Sequence, residues 1–592
     1  MSKRTRGPVS KSRAAVVVTW LVLGGAACDS NGLPGSGGSG GEVGGDSAVS
    51  VGGANNNVGA GDAGGAVATG GAGGTSSDTG GTAGDGGAAG GSSSSCSPGA
   101  SLDCYSGPPG TLGVGSCAAG VQTCNELGTG YSACVGEVLP TFDGCATPAD
   151  DDCNGSAAPP CSGGGLWSKR FGASGDERGA ALAVNSLGDV IVGGSYFGSS
   201  PNFGGGALPE GASYGAFLAK YDGLGAHQWS KGFPNDVSLA ALSIDDADGV
   251  VVTGSYTGMH QFTDVDFGGG KLIGGGGEDV FVARFDASGD HVWSKGFPSL
   301  GLQYASAVAV DASGNILLTG YFYQSLDLGG GELVSAGETD LFIAKFAADG
   351  THLWSKRYGG LNNEYATGIA ADAHGNVIVV GYFAGMLDFG WGPMSSHAPD
   401  ASFVVKLDPD GNPLWNRSPT GTDLDRVHAV AVDAEDNIIM TGAFSGAIDW
   451  GGGALASSGY FDAFLAKLDP AGGHVFSRRF GEGSGIHSGN SVVVDRTGDI
   501  VLGGGFQGAI DLGAGALTSA GAYDVFLAKF LPSGETLWSL RVGDVAEQQA
   551  AAVAVDSSTN TFVTGAFQGF VNFGAPLQST GGYDVFLAKV MP

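Results

Sequence analysis

Three carboxylates in a row, Asp150, Asp151 and Asp152, stand directly before Cys153. Hard carboxylate oxygens at that density could hold calcium; a solvated acidic turn would use the same residues with no ion. Around them lie eight cysteines, Cys96, Cys104, Cys117, Cys124, Cys134, Cys145, Cys153 and Cys161. Their spacing is irregular, with no Cys-x-x-Cys pair and no His among them, so the expectation is a disulfide scaffold rather than a zinc site, with the pairing left open.

A ninth cysteine, Cys28, is left over from that even set. Arg4, Arg6, Lys11 and Arg13 precede an apolar run at 14–23, which is too short to span a bilayer and reads as an export signal. Gly25-Ala26-Ala27-Cys28 resembles a bacterial lipobox, with Gly25 where that motif prefers Leu. The resemblance implies a lipidated Cys28 as the mature N-terminus; ordinary cleavage after Ala27 is the alternative. The acidic run with Cys153 also resembles a motif of cysteine-rich bacterial surface proteins, although Asn154 replaces an acid.

The elements that must position these groups differ along the chain. Residues 29–95 are mostly Gly, Ser, Ala, Thr and Asn with no aromatic side chain, and cannot bury a core; a disordered tether is expected. With Lys+Arg 26 against Asp+Glu 58, the net charge of −32 repels phosphate backbones and excludes nucleic acid as an expected partner. An acidic surface also favours a soluble monomer. Calcium is the one cofactor considered; otherwise none is expected.

From residue 166 onward the chain repeats. Trp167, Trp229, Trp293, Trp354, Trp415, Phe476 and Trp538 recur every 61–64 residues, and so do Phe217, Phe281, Phe342, Phe403, Phe464, Phe526 and Phe586. Each unit reads as four short β-rich runs, here strands a, b, c and d, split by Asp-x-x-Gly turns. Runs such as Val308, Ala309, Val310 and Ile316, Leu317, Leu318 are apolar at consecutive positions, so their sheets should be covered on both faces, as in a propeller. A strand-d sequence at 166–171 has no unit before it, and the seventh unit has none after strand c. The expectation is an all-β, seven-bladed β-propeller over 166–592, closed by pairing of its first strand with its last blade. It follows a signal peptide (1–28), the tether (29–95) and the disulfide-rich module (96–161).

The combined pattern of aVD-x-x-GN, G-x-F, D-F-G-G-G, D-x-F-x-A-K and W-S-K resembles the bacterial seven-bladed SBBP repeat family. That resemblance implies a surface or secreted propeller and no particular chemistry.

Groups that occur in every unit read as structural. The strand-c cations Lys220, Arg284, Lys345, Lys406, Lys467, Lys529 and Lys589 are expected to pair with the acid after strand a, as at Asp311 or Asp372. The strand-d charges Lys169, Lys231, Lys295, Lys356, Arg478 and Arg541 suit edge protection. His227, His291, His352 and His474 share one repeat position that elsewhere holds Pro413 or Thr536, so they are not ligands. The Asp/Asn of each Asp-Phe-Gly-Gly-Gly element is expected to make a turn rather than hold calcium.

The longer d–a and b–c connections share one rim, where binding residues concentrate. Unit-specific side chains there are Tyr304, Asn363, Tyr365, Trp391, His397, Asp425 and Arg426. The expected function is a non-catalytic, lipid-anchored cell-envelope scaffold that binds protein or glycan. A propeller-fold hydrolase or lyase, or a calcium-stabilised adhesion module, are the alternatives.

Overall fold

The computed structural model describes residues 96–140, 149–151, 153, 155, 161–198, 200–210, 214–257 and 265–592. The export signal, Cys28, the tether, Cys145 and Asp152 lie outside the described residues.

Two compact units emerge. Described residues 96–104 with Gly120–Val135 form one, and Tyr105–Ala119 with Gly136–Pro592 belong to the other. The first is pinned by the disulfides Cys96–Cys124 and Cys104–Cys134 and by pairing of Ser101–Cys104 with Gly120–Thr123. In the second, Cys117 bonds to Cys153, and Cys161 is also disulfide-bonded. The cysteine-rich segment is therefore oxidised as expected, but its residues divide between the two units.

Among the described residues the repeats form six four-stranded antiparallel sheets and one five-stranded sheet, with no helix. The first unit is Asp176–Val184, Val190–Phe197, Tyr214–Tyr221 and His227–Phe233. The fourth is Glu364–Ala371, Val377–Phe383, Ala401–Leu407 and Pro413–Arg417. Strands Gln548–Val555, Thr561–Phe567 and Asp584–Val590 form a sheet whose outer strand is Gly165–Phe171. There Ser168 pairs with Ala588 and Arg170 with Phe586.

Strand c explains the repeated sequence. Asp462–Leu468 is buried at every residue, because both faces of the sheet are covered by neighbouring sheets. Val280 and Val282 of one sheet pack with Ile316, Leu318 and Phe342 of the next, and Val585 and Leu587 pack with Leu182 and Phe217 of the first unit. The strand-c Phe packs on the aromatic residue of the Asp-Phe-Gly-Gly-Gly element: the ring centroids of Phe203 and Phe217 lie 4.2 Å apart, and those of Phe573 and Phe586 5.2 Å. Each such fully buried ring contributes roughly 1.5–3 kcal/mol.

The Asp of that element anchors the tip of a small ribbon. Asp449 Oδ1 accepts the amides of Gly451 and Gly453, and both glycines have positive φ. Asp266 and Asp327 do the same with their own glycines. These are side-chain-anchored turns of the expected kind.

The strand-c cations also sit as expected. Lys345 Nζ lies 2.9 Å from Asp311, Lys406 2.8 Å from Asp372 and Lys589 2.9 Å from Asp556. Five strand-d tryptophans, Trp167, Trp229, Trp293, Trp354 and Trp415, donate to the c–d turn of another unit, whereas the buried Trp538 Nε1 makes no hydrogen bond among the described residues. Trp354 Nε1 donates to the Pro409 carbonyl at 3.1 Å, and a Cβ on Gly411, at φ +79°, would meet its ring at 3.1 Å. The strand-d charges do more than guard an edge. Lys231 lies 3.7 Å from Asp290, and Arg541 falls one residue beyond the lysine position, beside Arg170, Arg357 and Arg479, all of which reach buried strand-c aspartates.

Candidate functional site

The central feature is a cavity bounded by strand a of every unit. In each strand a, one residue is bulged out of register: Ala180, Ala240, Ser306, Thr367, His428, Asn490 and Ala551. All seven line the cavity, which holds about 180 Å³ of water-accessible space. The bulge has a local cause. Opposite it lies a strand-b glycine such as Gly442, where a Cβ would come within 1.9 Å of the Arg426 carbonyl. Gly320, Gly381 and Gly565 meet a strand-a carbonyl in the same way. Only glycine lets the bulged backbone approach so closely.

The bulge positions split into two arcs. Ala551, Ala180 and Ala240 are apolar; Ser306, Thr367, His428 and Asn490 are polar. The polar arc is laced to the following strand. Thr367 Oγ1 donates to the Val427 carbonyl at 2.8 Å, His428 Nδ1 to Gly489 at 3.0 Å and Asn490 Nδ2 to Ala550 at 3.0 Å. Burial lowers the His428 pKa to about 4, so its imidazole is neutral near pH 7.

Two residues earlier in each strand a lies a second ring of positions, on the side of the d–a and b–c connections. It carries Arg178, Ser238, Tyr304, Tyr365, Arg426, Ser488 and Gln549. Of these, Arg178 and Gln549 line the cavity. The guanidinium carbon of Arg178 stands 3.8 Å over the ring of Tyr583. The Tyr583 hydroxyl bonds to Glu547 Oε2, and Gln549 Nε2 donates to Glu547 Oε1 at 3.2 Å. Burial, reinforced by Glu547, pushes the Tyr583 phenol up to about 12. Sequence reasoning missed Arg178, His428, Glu547, Gln549 and Tyr583.

None of the rim residues named from sequence is among those that line the cavity. Tyr304, Tyr321, Tyr365 and Tyr382 form a ladder with successive ring centroids 5.1, 4.9 and 5.0 Å apart. Arg426 caps it, 4.8 Å from the Tyr382 ring, and its Nε donates to Asp400 at 2.9 Å. His397 Nε2 lies 2.8 Å from Asp425, whose other oxygen accepts the Ser402 amide. Asn363 donates to Glu338 at 2.6 Å. Trp391 is 67% exposed and donates to the Pro413 carbonyl. The structure thus joins Tyr304, Tyr365 and Arg426, and separately His397 and Asp425.

The His397–Asp425 pair replaces a repeated buried acid. Most units begin strand c with Asp, as at Asp340, Asp462, Asp524 and Asp584, each accepting loop amides. Ala401 stands there in the fourth unit, and Asp425 of the following strand a supplies the carboxylate instead. Where the acid remains, crowding results: burial and the nearby Asp340 push Glu364 up to about 8.

Two clusters could invite a metal. Asp150 Oδ2 accepts the Gly155 amide and Asp151 Oδ1 the distant Ser116 hydroxyl, so both carboxylates already hold hydrogen bonds; Asp152 lies outside the described residues. Asp372, His374 and Asp436 each bring a ligand atom within 4.8 Å of the others, but Asp372 is already engaged by Lys406 and Asn376.

No protein-family model matches the chain. A curated relative, the uncharacterized WD repeat-containing protein L264 of Acanthamoeba polyphaga mimivirus, is 22% identical across 72% of this chain. The match spans only 38% of that protein's length. Among solved structures, the WD40 domain of Neurospora crassa Pan2 is 10% identical at TM-score 0.36, covering 72% of this chain and 97% of that one. Sqt1 from Chaetomium thermophilum is 11% identical at TM-score 0.38, covering 72% and 100%. A puromycin hydrolase is 13% identical at TM-score 0.35, covering 67% and 51%. The sheets, with strand a of each unit facing a shared cavity, define an all-β, propeller-like repeat protein.

Proposed function

We propose that this chain is a lipid-anchored cell-envelope protein whose SBBP-type repeats form a closed seven-bladed β-propeller. It acts as a monomeric, non-catalytic scaffold that binds protein or glycan. Closure is supported by the Ser168–Ala588 and Arg170–Phe586 pairings. Anchoring is supported by the export signal and Cys28 in the sequence, and an extracytoplasmic location by the oxidised cysteines.

One observation carries the binding role. Side chains that recur in every unit are used in packing, turns and ion pairs, whereas unit-specific ones gather at the cavity and on the rim of d–a and b–c connections. The Tyr304–Tyr382 ladder with Arg426 offers aromatic edges and a cation on that rim, a surface suited to an extended polar partner.

The test uses the mature protein against immobilised envelope glycans and purified envelope proteins. Saturable binding that Tyr365→Ala and Arg426→Ala weaken at least about tenfold supports the scaffold. Unchanged binding by both variants removes the rim from the account, and turnover of a glycan or ester substrate would move the chain to the hydrolase or lyase alternative. Mass spectrometry of the mature N-terminus tests the anchor, because an unmodified Cys28 excludes it.

A further inference from the structure

Arg178 and Arg426 occupy the same position of the repeat but meet different partners. Arg426 is neutralised by Asp400. Among the described residues no carboxylate lies within ion-pair distance of Arg178, which stacks on Tyr583 at the edge of the cavity. A guanidinium held by an aromatic face keeps its planar fork of donors for a ligand carboxylate.

The cavity's carboxylate is on the same side. Glu547 accepts one hydrogen bond at each oxygen, from Tyr583 and from Gln549, and a carboxylate has further lone pairs at both. One cation and one anion therefore face the same small space, fixed by a shared tyrosine. A simple anion would have to enter against a chain of net charge −32, whereas a neutral zwitterion would not. The space of about 180 Å³ suits a small molecule and excludes a folded domain.

We propose that this cavity binds a free α-amino acid, its carboxylate on Arg178 and its ammonium on Glu547, with its side chain along the Ser306–Asn490 arc. The proposal goes beyond the scaffold reading and stands apart from it, since it concerns the cavity rather than the tyrosine rim.

The experiment is calorimetry and thermal shift on the full mature protein. The probes are the twenty L-amino acids, with lactate as the matched carboxylate that lacks the ammonium. The expected result is saturable binding of at least one amino acid at or below ~1 mM, with lactate at least about tenfold weaker than alanine. Arg178→Gln and Glu547→Gln should each weaken binding at least about tenfold, while Ser238→Ala, at the same repeat position, leaves it unchanged. Each variant's melting without ligand reports its folding, and Arg178→Lys serves as a second variant should Arg178→Gln unfold. The proposal is overturned if no amino acid binds at or below ~1 mM, if alanine binds and lactate matches it, or if a folded Arg178 variant binds like the wild type. Loss of rim binding with amino-acid binding intact would strike the scaffold reading alone.

Discussion

Lys589 Nζ donates to the carbonyl of Gly223 at 3.1 Å, across 366 positions of sequence. The same contact links consecutive units elsewhere: Lys345 reaches Pro409, Lys406 reaches Pro470 and Lys467 reaches Pro532, each at 3.3 Å. The contact from unit seven to unit one thus has the same form as those between consecutive units. The tryptophans agree, for Trp167 beside Lys589 donates to the same Gly223 carbonyl. Repeats that cannot bury their faces alone gain a neighbour on both sides in this way.

The tryptophan contact should be worth measuring as stability. Trp354→Ala removes a ring packed on Gly411 and a hydrogen bond to Pro409. Because the ring is only partly buried, the expected loss is about 2–3 kcal/mol in urea unfolding, with an unchanged slope.

Lys345 and Asp311 are both buried, with side chains 6% and 2% exposed. Lys345→Met leaves Asp311 charged and unpaired, so about 3–5 kcal/mol should be lost. Adding Asp311→Asn keeps the oxygen that accepts the Ser313 and Asn315 amides while removing the charge, and should recover part of that loss. The first unit already uses Asn185 at this turn position. A double variant no more stable than Lys345→Met alone would contradict the ion-pair account.

Glu364 sets a pH dependence. Its folded pKa, raised to about 8 by burial and then by Asp340, exceeds the ordinary 4.5. The folded state therefore binds the proton more tightly than the unfolded chain. Stability from this group is fully present below about pH 4.5 and is lost as pH rises through 8. Chemical denaturation of Glu364→Gln should show a shallower decline than wild type between pH 5 and 9. An identical decline in both would remove Glu364 from the account.

Chelation tests the calcium alternative. Asp449 and its counterparts spend Oδ1 on glycine amides, Asp150 Oδ2 accepts the Gly155 amide, and Asp151 Oδ1 accepts the Ser116 hydroxyl. A melting temperature unmoved by excess EDTA is expected, and a fall of several degrees would restore the adhesion module.

Much of this fold was legible from spacing. The Asp-x-x-Gly turns, the Trp and Phe periods and the Lys–Asp pairing follow from local chemistry repeated in each unit. The cavity was not, although a signal existed: the strand-b glycines, at Gly442 and its counterparts, mark a bulge in the facing strand. Reading them would have placed His428 and Asn490 on the inner face. Arg178, Glu547 and Tyr583 carry no such mark, since they come from strand a of the first unit and two connections of the last. The acid swap from Ala401 to Asp425 was hidden for a similar reason: it pairs positions in adjacent units that show no shared pattern in one sequence.

Closure is the claim on which the cavity, the rim and the inter-unit contacts all stand. Ser168→Cys with Ala588→Cys places two thiols at directly paired positions. After mild oxidation, peptide mapping by mass spectrometry should find the 168–588 disulfide in nearly all molecules, with a raised melting temperature. Free thiols at both positions, with the native bonds Cys96–Cys124, Cys104–Cys134 and Cys117–Cys153 intact, would contradict the ring.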